Sequence, residues 1–96
     1  MKKMTPAQIE SALKEVPAWS EVSGAIQRTF QFPTFMDSMR FVNAVAERAE
    51  ADQHHPDVLI RYTKVTLTLS THDAGGITKK DFALAKRADA LAPPVP

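Results

Sequence analysis

Apolar and polar residues alternate most regularly over Lys64–Ser70, the period-two pattern of a strand with one buried face. The apolar positions in this run are Val65, Leu67 and Leu69. A shorter apolar run, Val58–Arg61, precedes it and predicts a second strand. Only Tyr62-Thr63 lies between the two runs, so the pattern predicts a β-hairpin with a tight turn there.

A second predicted hairpin lies nearer the N-terminus. Trp19–Ser23 and Ala25–Phe32 both show alternation, and Ser23-Gly24 at their junction is a turn signal. Both runs are short.

Three other stretches place apolar residues at three- and four-residue steps, and each follows a threonine that can cap a helix. The first predicted helix runs from about Pro6 to Glu15. The second opens at Pro33-Thr34 and must end before Pro56, which disfavours helical geometry at the residue before it. The third begins at Thr78 and continues through Leu91, after a loop at Asp73–Gly76.

The predicted order is helix, strand, strand, helix, strand, strand, helix. Two hairpins joined by a helix favour an α+β fold, with a single four-stranded antiparallel sheet and all three helices on one face. A chain of 96 residues forms one domain, here residues 1–96, in which Pro93–Pro96 is expected to be a frayed tail.

Composition narrows the class of protein. The formal net charge is +1 and the basic residues are scattered, unlike the basic face of a nucleic-acid-binding protein. There is no cysteine, which excludes disulfides and cysteine nucleophiles and fits a reducing compartment. No apolar run reaches membrane-spanning length, and Met1–Met4 leads into a polar segment rather than a signal core. We therefore expect a soluble, cytoplasmic domain that does not bind nucleic acid or membranes.

All three histidines lie at element boundaries. His54 and His55 follow the second helix, and His72 follows the hairpin formed by Val58–Arg61 and Lys64–Ser70. A turn at Tyr62-Thr63, or one residue later, makes His72 face the segment Gln53–His55 across the open end of the hairpin. Paired strands lie about 5 Å apart, so three imidazoles can line one pocket.

The end of the second helix also suits acid–base chemistry. Its negative dipole end favours the protonated form of His54 and His55. Glu50 lies four residues before His54, so it shares that helix face if the helix persists, and it can accept an imidazole N–H. A histidine oriented by a carboxylate is typical of general acid–base catalysis.

Simpler interpretations stay open. Each histidine alone can be a helix-end cap or a surface residue, and Glu50 a solvated helix residue. Three histidines can bind zinc, but adjacent His54 and His55 on an extended segment point to opposite sides, so no metal is expected. Asp81 is more typical of a helix start than of a catalytic group. Trp19 fits a core or pocket-wall position better than one stacked on a flat ligand.

Together these residues resemble the pterin-4a-carbinolamine dehydratase family. The resemblance rests on the order and spacing of Glu50, His54-His55-Pro56, Tyr62, His72 and Asp81. The surrounding segments Tyr62–Val65 and Leu69–Gly76 are also similar, and the resemblance covers roughly Ala18–Leu91.

The resemblance implies a four-stranded antiparallel sheet with three helices, assembled into homodimers or homotetramers. It also implies a lyase that dehydrates 4a-hydroxytetrahydropterin to quinonoid dihydropterin and so recycles this cofactor for aromatic amino-acid hydroxylases such as phenylalanine hydroxylase. The pterin is then the substrate, and no cofactor is expected. Carried over by position, the catalytic and pterin-binding residues are His54, His55 and His72. The supporting substrate-binding residues are Glu50, Asp81 and Trp19.

Three positions depart from the commonest family pattern. Gln53 replaces a small or acidic residue, Thr63 replaces a turn asparagine, and Val58 replaces an aromatic residue. These changes affect the turn and the pocket wall, so they put the preferred substrate in question more than the catalysis.

The resemblance also carries an alternative function. Relatives serve as partners of homeodomain transcription factors and as helpers in Rubisco assembly, so the chain can be a non-catalytic assembly or dimerisation factor. Such a scaffold does not require three histidines at these spacings, and their presence favours the enzyme.

Overall fold

The computed structural model describes residues 2–93. The helices and strands in chain order are α1 (Pro6–Leu13), β1 (Ser20–Val22), β2 (Ala25–Gln31), α2 (Phe35–Asp52), β3 (Asp57–Arg61), β4 (Lys64–Leu69) and α3 (Lys79–Leu91). The predicted order of elements is confirmed. The predicted frayed tail, Pro93–Pro96, lies outside the described residues from residue 94 onward.

The four strands form one antiparallel sheet in the order β1-β2-β4-β3. In the β3–β4 hairpin Arg61 pairs with Lys64, which confirms the predicted turn at Tyr62-Thr63. Tyr62 accommodates this turn with a left-handed backbone, at a φ of 57°. The hairpin places β4 beside β2, in the middle of the sheet, and leaves β3 at an edge.

The core lies between the sheet and the helices. The three apolar residues of β4 are fully buried, as their alternation predicts. They pack in one cluster with α2 and α3 residues that include Phe41, Val45, Phe82 and Ala85. The opposite sheet face carries polar pairs such as Thr29 with Thr66, whose hydroxyl oxygens are 2.8 Å apart. The helices therefore cover one face of the sheet, and the other face is polar.

The helix starts follow the predicted capping chemistry. The Thr5 and Thr78 side chains each accept a hydrogen bond within a capping box, with Gln8 and Asp81 as the respective partners. The side chain of Thr34 accepts from the backbone N–H of Asp37. These caps explain why all three helices begin close to the predicted residues.

Some boundaries differ from the sequence prediction. α1 ends at Leu13 rather than Glu15, because the chain tightens there into turns, with the N–H of Val16 bonded to the carbonyl of Leu13. The segment predicted as a loop after β4 contains a short 3₁₀ turn, His72–Ala74. In residues 2–93 no helix has the length and apolar character needed to cross a bilayer.

Candidate active site

The C-terminal end of α2 turns the chain so that two consecutive histidines leave it in different directions. Gln53 adopts a left-handed conformation, with φ 53° and ψ 39°. The N–H of His54 bonds to the carbonyl of Ala49 at 3.1 Å, and that of Gln53 bonds to the carbonyl of Glu50 at 3.3 Å. This pair of bonds is a Schellman motif. It fixes the backbone of the segment that carries both histidines.

His54 is buried against α3. It is 9% exposed, and its Nε2 lies 2.6 Å from Oδ1 of Asp81, which is fully buried. An imidazole nitrogen this close to a buried carboxylate donates its N–H in a charge-assisted hydrogen bond. The buried pair therefore joins the end of α2 to the first turn of α3.

Two threonines complete the surroundings of Asp81. Its Oδ2 accepts hydrogen bonds from the Thr71 hydroxyl and from the Thr78 backbone N–H, both at 2.9 Å. The two threonine hydroxyl oxygens are 2.6 Å apart. Asp81 thus has the predicted helix-start role and also contacts His54, so one carboxylate serves both the helix start and the histidine.

Thr71 and Thr78 are site residues that the sequence pattern did not indicate. Thr78 was identified only as a helix cap, and Thr71 only as part of the Ser-Thr-His run before the loop. The signal in the sequence was Asp81 at the third position of α3. A carboxylate that becomes buried there needs several hydrogen-bond donors, and nearby threonines can supply them.

His55 forms the second imidazole–carboxylate pair, on the surface. Its Nε2 lies 2.8 Å from Oε2 of Glu50, and the two side chains are 60% and 74% exposed. The expectation that Glu50 orients His54 is therefore wrong. The helix does not persist to His54: the left-handed residue Gln53 directs His54 toward α3 and brings His55 back over Glu50.

His72 lies next in the chain to Thr71, the residue whose side chain contacts the buried His54–Asp81 pair. It opens the 3₁₀ turn and is exposed, and the hydroxyl of the preceding Thr71 contacts Asp81. The hairpin register that was predicted to bring it there is present, with Asp57 paired to Thr68. The structure therefore gathers His54, Asp81, Thr71 and the start of the His72 turn at one end of the sheet.

An apolar groove adjoins the surface pair. It has a volume of about 230 Å³ and is lined by His55 and Glu50 together with Val42, Val45, Ala46, Ala49, Pro56 and Val58. Two larger grooves, of about 330 and 390 Å³, lie between helices, and none of the residues that line them is a histidine. The groove beside His55 therefore combines apolar walls with an imidazole–carboxylate pair.

Trp19 lies in the core rather than beside the histidines. It is 3% exposed and packs edge-on against Phe30, and its indole N–H donates to Asp89 at 2.9 Å. Arg28 donates to the same carboxylate oxygen at 2.6 Å. Trp19 therefore has the core position that the sequence favoured. This position does not support the pterin contact that the family resemblance implied.

The histidines do not form a cluster of metal ligands. Across residues 2–93, no three or more histidine, aspartate or glutamate side chains are arranged to hold a metal ion. Asp81 and Glu50 each form a hydrogen bond with Nε2 of one imidazole, so these carboxylates orient the histidine rings.

The chain is thus a small α+β domain in which two consecutive histidines each contact a carboxylate. The family model for pterin 4 alpha carbinolamine dehydratase matches residues 2–91. The chain belongs to this family.

Individual relatives agree. A protein of Gloeobacter violaceus, provisionally named pterin-4-alpha-carbinolamine dehydratase 2, is 55% identical over 89 residues, which cover 88% of this chain and 97% of that protein. A similarly named protein of Picosynechococcus is 49% identical over 89 residues, covering 93% and 97% of the two chains.

Two solved structures are similar in fold. A transcriptional coactivator/pterin dehydratase from Brucella melitensis has a TM-score of 0.93 and 32% identity, covering 96% of this chain and all of that chain. A pterin dehydratase-like protein identified as a RuBisCO assembly factor in the alpha-carboxysome has a TM-score of 0.65 and 26% identity, covering 80% and 89%.

Proposed function

We propose that this chain dehydrates 4a-hydroxytetrahydropterin to quinonoid dihydropterin by general acid–base catalysis. The observation that carries the proposal is the pair of imidazole–carboxylate contacts in consecutive residues, His54 with Asp81 and His55 with Glu50. Family membership supplies the pterin substrate, and these contacts supply groups able to move its protons.

The reaction needs two proton transfers and no change in oxidation state. The C4a–O bond breaks as the leaving oxygen receives a proton and departs as water. N5 loses its proton, and its electron pair forms the new N5=C4a double bond. Imidazoles suit both transfers because they give and take protons near neutral pH. The proposed reaction therefore requires no metal or redox cofactor.

In the proposed site the substrate meets the ring nitrogens that do not contact carboxylates. Both histidines use Nε2 for their carboxylate partners, so Nδ1 of each is the atom left for the pterin. In residues 2–93 no fully buried side-chain nitrogen or oxygen lacks a hydrogen-bond partner. In the proposal, Nδ1 of His54 reaches the substrate through the tenth of this side chain that is exposed. One imidazole protonates the leaving oxygen and the other accepts the N5 proton, while His72 orients the ring.

The groove beside His55 is the proposed apolar wall for the flat pterin ring. Neither His54 nor His72 lines this groove, so in the proposal the reacting edge of the ring projects from it toward them. Such ligands bind in apolar slots with a few polar groups at one end. Pro56 and Val58 contribute apolar wall, and His55 and Glu50 contribute the polar end. Val58 offers no aromatic ring in this wall, so in the proposal it packs against the pterin without ring stacking.

The direct test is a dehydration assay with synthetic 4a-hydroxytetrahydropterin. We expect the wild-type protein to exceed the spontaneous rate and His55→Ala to lose at least about a hundredfold in kcat. Lys64→Ala, on the polar sheet face, is the matched control and should keep wild-type kinetics. A wild-type rate equal to the spontaneous rate would rule out the proposal.

One surface feature favours self-association, the property that the alternative role of a dimerisation factor requires. Phe35 and Tyr62 stack with their ring centroids 6.4 Å apart, although Tyr62 is 72% exposed, and Met36 is exposed as well. Exposed apolar groups of this kind mark protein contacts. We propose a homodimer or homotetramer, which light-scattering mass measurement tests, because a monomer mass at micromolar concentration contradicts it.

The proposed physiological setting is pterin recycling in the cytoplasm. The absence of cysteine fits a reducing compartment. Recycling links the chain functionally to an aromatic amino-acid hydroxylase such as phenylalanine hydroxylase. Adding the chain to such a hydroxylase with limiting tetrahydropterin should sustain turnover, and His55→Ala should not.

A further inference from the structure

Thr71 lies at the centre of a chain of hydrogen bonds that ends on the buried histidine. Its hydroxyl donates to Oδ2 of Asp81 at 2.9 Å, and the other carboxylate oxygen, Oδ1, faces Nε2 of His54 at 2.6 Å. The Thr71 and Thr78 hydroxyl oxygens are 2.6 Å apart. The backbone N–H of Lys80 donates to the Thr78 hydroxyl oxygen at 3.2 Å.

The direction of every bond in this chain follows from the number of protons available. A hydroxyl has one proton, and Thr71 gives its proton to Asp81, so the Thr78 hydroxyl must donate to Thr71. Thr78 in turn accepts from the N–H of Lys80. All donors therefore point toward Asp81, whose two oxygens only accept.

Because Asp81 accepts every one of these hydrogen bonds, it also determines which nitrogen of His54 carries a proton. Oδ2 of Asp81 is occupied by the Thr71 hydroxyl and by the Thr78 N–H. An ionised carboxylate offers only acceptors, so the 2.6 Å contact at Oδ1 requires a proton on Nε2 of His54. Nδ1 is then the only ring nitrogen that can exchange a proton with a ligand.

Thr71 also positions the third histidine through its backbone. Its N–H and its carbonyl both pair with Gly76, at 2.9 and 3.3 Å, and its carbonyl also accepts from the N–H of Ala74 at 3.1 Å. These bonds close the turn that begins at His72. One residue therefore fixes the partner of His54 with its side chain and the turn of His72 with its backbone.

We propose that Thr71 is a positioning residue, which holds Asp81 in one orientation and so keeps His54 in the Nε2–H form with Nδ1 directed to the substrate. The kinetic part of this inference rests on the proposed dehydratase function. The part that concerns the tautomer does not, because it follows from the hydrogen bonds alone. Thr71 touches no reacting atom and acts through Asp81.

The informative variant is Thr71→Val, which keeps the shape of the side chain and removes its hydroxyl. It leaves Oδ2 of Asp81 with one donor and the Thr78 hydroxyl without an acceptor. Groups that orient a functional imidazole typically contribute about tenfold to a hundredfold, so we expect kcat to fall about tenfold with KM within about twofold. Thr71→Ser restores the hydroxyl and should recover most of kcat.

The matched control is Thr68→Val. Thr68 belongs to the same region of chain, but its hydroxyl accepts from the Gln27 amide on the polar sheet face. The substitution therefore removes a threonine hydroxyl without touching Asp81. Its kinetics should equal those of the wild type.

Nitrogen-15 NMR of the imidazoles gives a readout independent of catalysis. The chain has only three histidines, so the His55→Gln and His72→Gln variants assign the His54 signals. In neutral His54 of the wild type we expect the Nε2–H tautomer and a slowly exchanging N–H proton shifted strongly downfield. In Thr71→Val we expect a mixture of tautomers and at least about tenfold faster exchange of that proton.

The outcomes separate this inference from the proposed function. A wild type without dehydratase activity, but with the expected His54 tautomer and its loss in Thr71→Val, overturns the function and supports the positioning role. Wild-type kinetics and NMR signals in folded Thr71→Val overturn the positioning role. If Thr71→Val does not fold, the wild-type spectrum still decides, because an Nδ1–H tautomer of His54 contradicts the inference.

Discussion

His54 and Asp81 lie 27 residues apart in the chain, and Nε2 of the first is 2.6 Å from Oδ1 of the second. The carboxylate that receives this contact is also the capping-box residue of α3, since its Oδ2 accepts from the N–H of Thr78. The start of a helix and the orientation of a proposed catalytic histidine therefore depend on the same side chain.

Asp81→Asn should damage both stability and activity. An amide in place of the carboxylate directs its NH₂ group either at the donors of Thr71 and Thr78 or at His54. Breaking a buried charged pair costs about 3–5 kcal/mol, and we expect a loss near the lower value in urea unfolding. In the folded fraction, kcat should fall by about a hundredfold.

Asp89→Asn is the matched control on the same helix. Asp89 is partly exposed and contacts Arg28 and Trp19 rather than a histidine. Its substitution should cost about 1 kcal/mol of stability and leave kcat per folded molecule unchanged. Equal losses of kcat in the two variants would contradict the assignment of Asp81 to the site.

Trp19→Phe tests whether the indole belongs to the core or contacts the pterin. The variant keeps an aromatic ring but removes the N–H that bonds to Asp89. We expect the free energy of unfolding to fall by about 1–2 kcal/mol, with kcat and KM unchanged. A severalfold rise in KM without loss of stability would instead restore the pterin contact implied by the family resemblance.

Gln53→Gly should stabilise the protein. Gln53 has a left-handed backbone, which strains any residue with a Cβ and favours glycine at the end of a helix. We expect the free energy of unfolding to rise by up to about 1 kcal/mol. Ala51→Gly, two residues earlier and within the helix, should lower it by about 1 kcal/mol. The same sign for both variants would refute the strain argument.

Glu50→Gln should change activity less than Asp81→Asn does. The Glu50–His55 pair is mostly exposed, so solvent screens it, and its removal should change stability by less than about 0.5 kcal/mol. We expect kcat to fall by less than about tenfold. Glu47→Gln, one turn earlier on α2, should have no effect on kcat. A larger loss of kcat for Glu50→Gln than for Asp81→Asn would contradict the expectation that the buried His54–Asp81 pair matters more for catalysis.

The local features of the fold could be predicted from the sequence because they depend on neighbouring residues. The alternation in β4 reflects burial of one face, and the two residues between β3 and β4 leave room only for a tight hairpin turn. The caps at Thr5, Thr34 and Thr78 are contacts across three residues. The register of the β3–β4 hairpin, with Asp57 paired to Thr68, also followed, because a two-residue turn fixes it.

The partners of the histidines could not be predicted in the same way. Glu50 was assigned to His54 on the assumption that the helix continues, and a single left-handed residue, Gln53, transfers that contact to His55. The contacts of Asp81 with His54 and Thr71 depend on how α3 docks on the sheet. Sequence spacing contains no information about that docking.

The placement of Asp81 on α3 has a consequence for synthesis of the chain. A nascent chain that has left the ribosome only as far as β4 contains every histidine but His72, and it lacks the carboxylate that orients His54. It also lacks Phe82, Leu84, Ala85 and Ala88, which close the core. Because domains fold as units, we expect the His54–Asp81 contact to form only when the last helix docks, and chains truncated before α3 to remain unfolded.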